Sequence, residues 1–184
     1  MNRLLALALS VVVLTLTNGV LSGSKVAAGG KIASRFTNMS DGTIRDNDSG
    51  LIWLKDANCY DLAGKDSDGK ANWHAALEAA AALSHGKCGL KDGSEAGDWR
   101  LPTKAEWEAF MSTVYDFPAL VNTVGDAQWS EGDAFAGVQS SSYWSSTEYA
   151  QTRTWRAFMD VGLMNHTFNQ NDFIAYVWPV RNDN

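Results

Sequence analysis

The sequence predicts an α+β domain. Three observations carry this: a hairpin pattern near the start, two stretches of helical periodicity in the middle, and short strand-like segments towards the end. The predicted order is strands, then two helices, then strands.

The front end reads as a leader. The chain has 184 residues and opens with Met1-Asn2-Arg3, followed by an almost unbroken apolar run from Leu4 to Leu16. Small and polar residues around Ser22 to Ala28 follow, with Val26-Ala27-Ala28 as a small-residue cleavage site. That is the layout of a secretory signal peptide over residues 1–28. The run is short for a membrane span; the other reading is an uncleaved anchor helix. Residues 29–34 read as a linker and 35–182 as the domain. Taking the leader from 184 leaves 156 residues, enough for one domain with a sizeable core. The expected location is secreted or periplasmic, with no membrane insertion once the signal is removed.

"DGTIRDNDSGLIWLKD" (41–56) gives the hairpin. Thr43 to Arg45 and Leu51 to Leu54 are strand-like, and Asn47 to Gly50 supply the turn. The polar loop "CYDLAGKDSDGK" follows. Its Asp66 and Asp68 resemble the start of a calcium loop that lacks the later ligands. They are the weak metal candidates; no other cofactor is implied.

"NWHAALEAAAALSHGKCG" predicts the first helix, capped by Asn72 and ended by Gly86. Trp73, Leu77, Ala80 and Ser84 share a face, with Ala76 and Leu83 beside it. "DWRLPTKAEWEAF" (98–110) opens the second helix. Thr103 and Glu106 fit a capping box, and Pro102 holds Leu101 extended just before it. Trp107, Phe110, Met111 and Val114 then recur at i, i+3, i+4 and i+7, a buried face. Glu106 thus has a structural role, and Glu106 and Glu108, two apart on a helix, do not face each other as an acid/base pair would.

The second half is rich in Ser, Gly, Ala and aromatics. "SYWSS" reads as a short buried strand. From Thr154, residues 155, 157, 159 and 161 fall on one side and 156, 158 and 160 on the other, with Gly162 ending the strand. "AYVWPVR" reads as a closing strand whose Pro179 suggests an edge or a chain end.

Both cysteines, Cys59 and Cys88, lie in the mature chain. An even pair in an exported protein implies a disulfide. Two free thiols or a partial metal site are the alternatives, but His74, His85 and His166 show no ligand spacing.

Charge narrows the partners. The formal net charge is −6, and losing Arg3 and Lys25 with the leader makes it −8. Such a domain is a poor fit for nucleic acid or anionic membranes. From Asp126 to Asp172 there are six acids against only Arg153 and Arg156.

"DGTIRDNDSGLIWLKDANC", "GDWRLPT", "YWSSTEYA" and "YVWPVR" occur in the order found in the Lcl C-terminal domain family of secreted bacterial proteins, which the chain resembles from about residue 35 to 182. "RLPTKAEWE" also resembles a segment of formylglycine-generating enzymes and of the variable proteins of diversity-generating retroelements. These resemblances imply a C-type lectin-like fold with two helices, a small antiparallel sheet and a long loop region before the final strand. The family's namesake is the end domain of a collagen-like adhesin associated with sulfated polysaccharide. This chain has no Gly-X-Y tract, and it lacks the calcium-sugar tripeptides of true C-type lectins.

Fold leaves function open. The expected function is a non-enzymatic binding module, recognising a glycan or protein at the bacterial surface through its second-half loops. The predicted ligand-binding residues are Trp129, Arg153, Arg156, Asn169, Asn171 and Asp172. Trp129 lies in a polar stretch where its ring either stacks on a ligand or plugs the loop. The acidic loops favour a neutral glycan or a protein over a sulfated chain. A structural component of a surface complex is the second reading, marked by a flat apolar patch. An enzyme is the third: the formylglycine-generating relatives depend on late active-site cysteines, whereas Cys59 and Cys88 flank the first helix, and no motif places a His or Asp beside Ser140 to Ser142.

Overall fold

A computed structural model describes residues 33–63, 68–167 and 171–183. Asp66 and Asn169 lie outside these residues. Among the described residues the architecture is α+β, with two sheets and three helices.

The first sheet grows from the hairpin. Strands β2 (Thr43–Asp46) and β3 (Ile52–Leu54) pair antiparallel, with Ile44 opposite Trp53. The sequence reading missed β1 (Phe36–Asn38), which pairs with β2. The second sheet is built on β5 (Ser142–Ala150), β6 (Arg153–Phe158) and β7 (Leu163–His166), an antiparallel meander. Val161 lies past β6 in the turn and is 41% exposed, whereas Met159 is buried, so the predicted alternation stops at the strand end. Gly162 turns the chain at φ +67°, where a Cβ would stand 2.4 Å from the Ser112 carbonyl oxygen.

The closing strand is two strands. β8 (Ala175–Tyr176) lies beside β5 in the second sheet, parallel to it, and also pairs with β4 (Lys70–Ala71). β9 (Val180–Arg181) pairs with β3 in the first sheet. Between them Trp178 is fully buried, and its indole N–H donates to the Leu54 carbonyl at 2.7 Å. Pro179 has no N–H to continue a ladder, but its carbonyl accepts from Leu54 N–H.

Besides the one-turn α1 (Tyr60–Ala63), which went unpredicted, two helices are present. In α2 (Trp73–Ala81) Asn72 caps as expected, its side chain accepting from the Ala75 N–H, and Trp73, Ala76 and Ala80 are buried. The helix stops at Ala81, well before Gly86. Lys87 Nζ donates to the Ala82 carbonyl, and His85 N–H to Ser94, so the chain has already turned towards Cys88. In α3 (Lys104–Phe110) both arms of the capping box are present. Val114 does not extend its buried face: Met111 is already extended, and Val114 is 78% exposed.

Six tryptophans read as core, Trp53, Trp73, Trp99, Trp107, Trp144 and Trp178, are all buried. Trp53 stacks on Phe110 at 3.9 Å, while Trp107, Phe135 and Tyr143 meet Trp178 at 5.0–6.0 Å. Burial pushes the Tyr143 phenol far above its ordinary range, so it keeps its proton, and its oxygen accepts from the Gln139 N–H and holds that loop.

Glu106 does more than close the box. Its carboxylate also takes two hydrogen bonds from the Arg100 guanidinium, at 2.8 and 2.7 Å. Partial burial raises its pKa; the Arg100 bonds, the Thr103 N–H and the Arg100 charge together outweigh this and leave it below the ordinary glutamate value. A depressed folded pKa stabilises the fold above the unfolded value, near 4.3, and that contribution disappears as pH falls through the folded one. Glu106→Gln should therefore cost about 1 kcal/mol at pH 7, and the gap should close in acid, measured as urea midpoints between pH 7 and 3.

Candidate functional site

The β6–β7 register sets Trp155 opposite His166, and the Thr167 N–H donates to the Thr154 carbonyl. The loop that follows β7 therefore begins beside the start of β6. Ala150 pairs with Arg153 across the tight β5–β6 turn, so that turn lies at the same end. Three elements thus converge, and an aromatic cluster forms there. The Tyr149 ring lies flat on His166, with centroids 4.0 Å apart and planes 10° from parallel. Trp155 stands edge-on to both, at 5.3 and 5.8 Å. Tyr149 is 49% exposed, and Trp155 and His166 are half-buried.

Helix α3 supports this cluster from its first residue. The Lys104 N–H donates to Thr147 Oγ1 on β5. Its ammonium sits 4.9 Å from the Trp155 ring and also pairs with Glu108. The outcome is an aromatic surface, one ring widely open, with a cation held at its side.

The sequence-predicted residues fall in different places. Arg153 begins β6 at this end, and Asn171 and Asp172 are exposed in the segment between β7 and β8. Arg156 is on the strand rather than in a loop and is only 8% exposed. Its guanidinium lies 3.7 Å from the Phe173 ring and 4.9 Å from Phe158, with one weak hydrogen bond to Ser142 Oγ, and burial lowers its pKa. Trp129 is partly buried against the core, its indole nitrogen enclosed without a hydrogen-bond partner and its backbone N–H bonded to Leu120. It is a packed ring more than an open face.

The sequence reading did not select Tyr149, Trp155 or His166. The only signal was that Tyr149 and Trp155 lie close on either side of Gln151-Thr152; the irregular β5–β6 register that brings their rings together is not visible in sequence.

Among the described residues, one group of His, Cys, Asp and Glu brings metal-competent atoms together: Cys59, Asp61 and Cys88. Its two sulfurs are bonded to each other, as the sequence predicted, and Asp61 accepts from the Cys88 N–H. Asp68 is exposed in a turn. No described helix is long and apolar enough to cross a membrane.

A family model, the Lcl C-terminal domain, matches residues 42–181. The chain belongs to the Lcl C-terminal domain family. The match runs from the Gly42 turn to the last residue of β9, so this Lcl C-terminal domain includes both sheets apart from β1, and the whole aromatic cluster. No curated protein and no solved structure matches it.

Proposed function

We propose that this Lcl C-terminal domain is an exported, non-enzymatic binding module that takes a neutral glycan on the Tyr149–Trp155–His166 surface. The observation that carries the reading is the half-exposed Tyr149 ring, laid flat on His166 and braced by Trp155. A pyranose presents an apolar C–H face that such rings can cover, and its hydroxyls need nearby polar groups. Arg153, at the start of β6, is one such group, and the exposed Asn171 and Asp172 are expected to supply others. The resemblance to C-type lectin-like folds, where loops before the final strand carry recognition, points the same way. The leader-like start and the disulfide fit export. With six acids and two arginines between 126 and 172, the surface disfavours a sulfated chain.

The test is a neutral-glycan array, followed by titration of the best binder. Tyr149→Ala and Trp155→Ala should each weaken binding by about tenfold or more, as truncating a central aromatic anchor does, with melting temperature retained for Tyr149→Ala. Trp129→Ala should leave affinity within about twofold, because its ring packs inward. Tight heparin retention that collapses with salt and needs Arg153 would refute the proposal.

One observation favours assembly into a surface complex as the second reading. Val114, Phe117, Val161 and Leu163 are 41–78% exposed, and the Phe117 N–H bonds to Asp160, which joins these two segments into one apolar area. Self-association in sedimentation that Leu163→Ser abolishes would favour it.

A further inference from the structure

On the first-sheet side, away from the β5–β6–β7 meander, lies a cleft of about 500 Å³. Its walls come from three stretches far apart in sequence: the β1–β2 turn with Gly42, Lys55-Asp56 just after β3, and the disulfide loop with Gly89 and Lys91, with Ala136 closing one side. Backbone hydrogen bonds lock these stretches together. The Lys55 N–H donates to Gly42, the Lys91 N–H to Asp41, and the Ala136 N–H to Lys55. Gly42, at φ +90°, presses so close to the disulfide loop that a Cβ would stand 2.6 Å from the Gly89 carbonyl oxygen. The cleft is thus set by backbone, and the Cys59–Cys88 bridge anchors one wall.

The cations decide its chemistry. The protein is acidic, and its described lysines and arginines are otherwise engaged. Arg35, Arg45, Arg100, Lys104 and Arg181 pair with carboxylates; Lys87 donates to a carbonyl; Lys70 and Arg156 lie over aromatic rings. Arg153 also has a partner. Lys55 and Lys91 are the exceptions: neither ammonium has a hydrogen-bond or ion-pair partner among the described residues, and both line this cleft. Lys55 is half-buried and Lys91 exposed.

We infer that this cleft is a second binding site, separate from the aromatic surface, and that it takes one carboxylate of a small ligand. Two ammoniums can hold a carboxylate from two sides. Asp56 also lines the cleft, one Oδ capping the Asn58 N–H, so the local charge suits a single negative group and opposes a polyanion. The volume is that of an ordinary small-molecule site. The carboxylate belongs to an acidic monosaccharide or to a peptide C-terminus.

Amide chemical-shift titration of the mature chain tests this with four probes: glucuronate, glucose, N-acetyl-alanyl-alanine and its C-terminal amide. Either or both acids should shift the Gly42, Gly89 and Lys91 amides saturably, with Kd of about 1 mM or tighter, while the neutral partners do not. The acid that binds more tightly identifies the source. Lys55→Met should raise Kd by about tenfold, and the exposed Lys91→Met should act in the same direction with the fold untouched. No saturable shift at these amides with either acid, equal response to the neutral probes, or unchanged affinity in both variants would overturn the inference. None of these results depends on whether the aromatic surface binds a glycan.

Discussion

Trp107→Ala should destabilise the domain by about 4–5 kcal/mol, the largest effect expected of any single side chain here. The indole is fully buried and meets Trp53, Phe110, Tyr143 and Trp178 edge-on or tilted. Removing it leaves a cavity lined by rigid rings, which collapse poorly into the space. It also strips the Trp144 carbonyl of the indole N–H that reaches it at 3.1 Å, across the junction of α3 and β5. Urea unfolding followed by far-UV circular dichroism gives the shift in midpoint. An unchanged midpoint combined with lost ligand binding would mean that Trp107 belongs to a site and not to the core.

Breaking the Cys59–Cys88 bridge should cost about 3.5 kcal/mol, the loop-closure entropy expected for a separation of 29 residues. The bridge closes a stretch holding α1, β4 and α2, of which only α2 is longer than four residues. Comparing urea midpoints of oxidised and dithiothreitol-reduced protein measures the effect. Thiol labelling of the unfolded, unreduced chain should find no free cysteine; two labelled thiols would end the argument. Reduction should also weaken carboxylate binding in the cleft, because Cys88 and Gly89 form its wall.

What could be read from sequence was local. Thr103, Pro102 and Glu106 lie within a few residues, so the capping box needs no knowledge of the rest of the chain. The β2–β3 hairpin was legible for a similar reason, whereas the disulfide, 29 residues apart, was read from there being only two cysteines. What failed depended on distant partners. β1 buries only Phe36 of its three residues and shows no period, so it is a strand because β2 is there to pair with it. The alanines after Trp73 continue a helical pattern past Ala81, but the return to Cys88 bends the chain first. "AYVWPVR" has the composition of one strand, and nothing local says that its halves join different sheets. The aromatic cluster was hidden by register. The β5–β6 ladder slips between Trp144 and Glu148 and again between Glu148 and Ala150, so simple alternation cannot put Tyr149 against Trp155. Arg156 was selected for its charge, but aromatic rings can bury a guanidinium, and Phe173 does so.

The last few residues also set a schedule. Neither sheet is complete until Ala175 to Arg181 has been synthesised: among the described residues β8 alone joins β4 to β5, and β9 brings Trp178 beneath Leu54. A growing chain therefore holds an unfinished core until that segment arrives, with Trp53, Trp107 and Phe110 waiting for the ring that closes over them. Truncation before residue 175 would leave an open edge on both sheets and these rings uncovered, the kind of exposed apolar surface and unpaired edge that makes a partly folded chain aggregate.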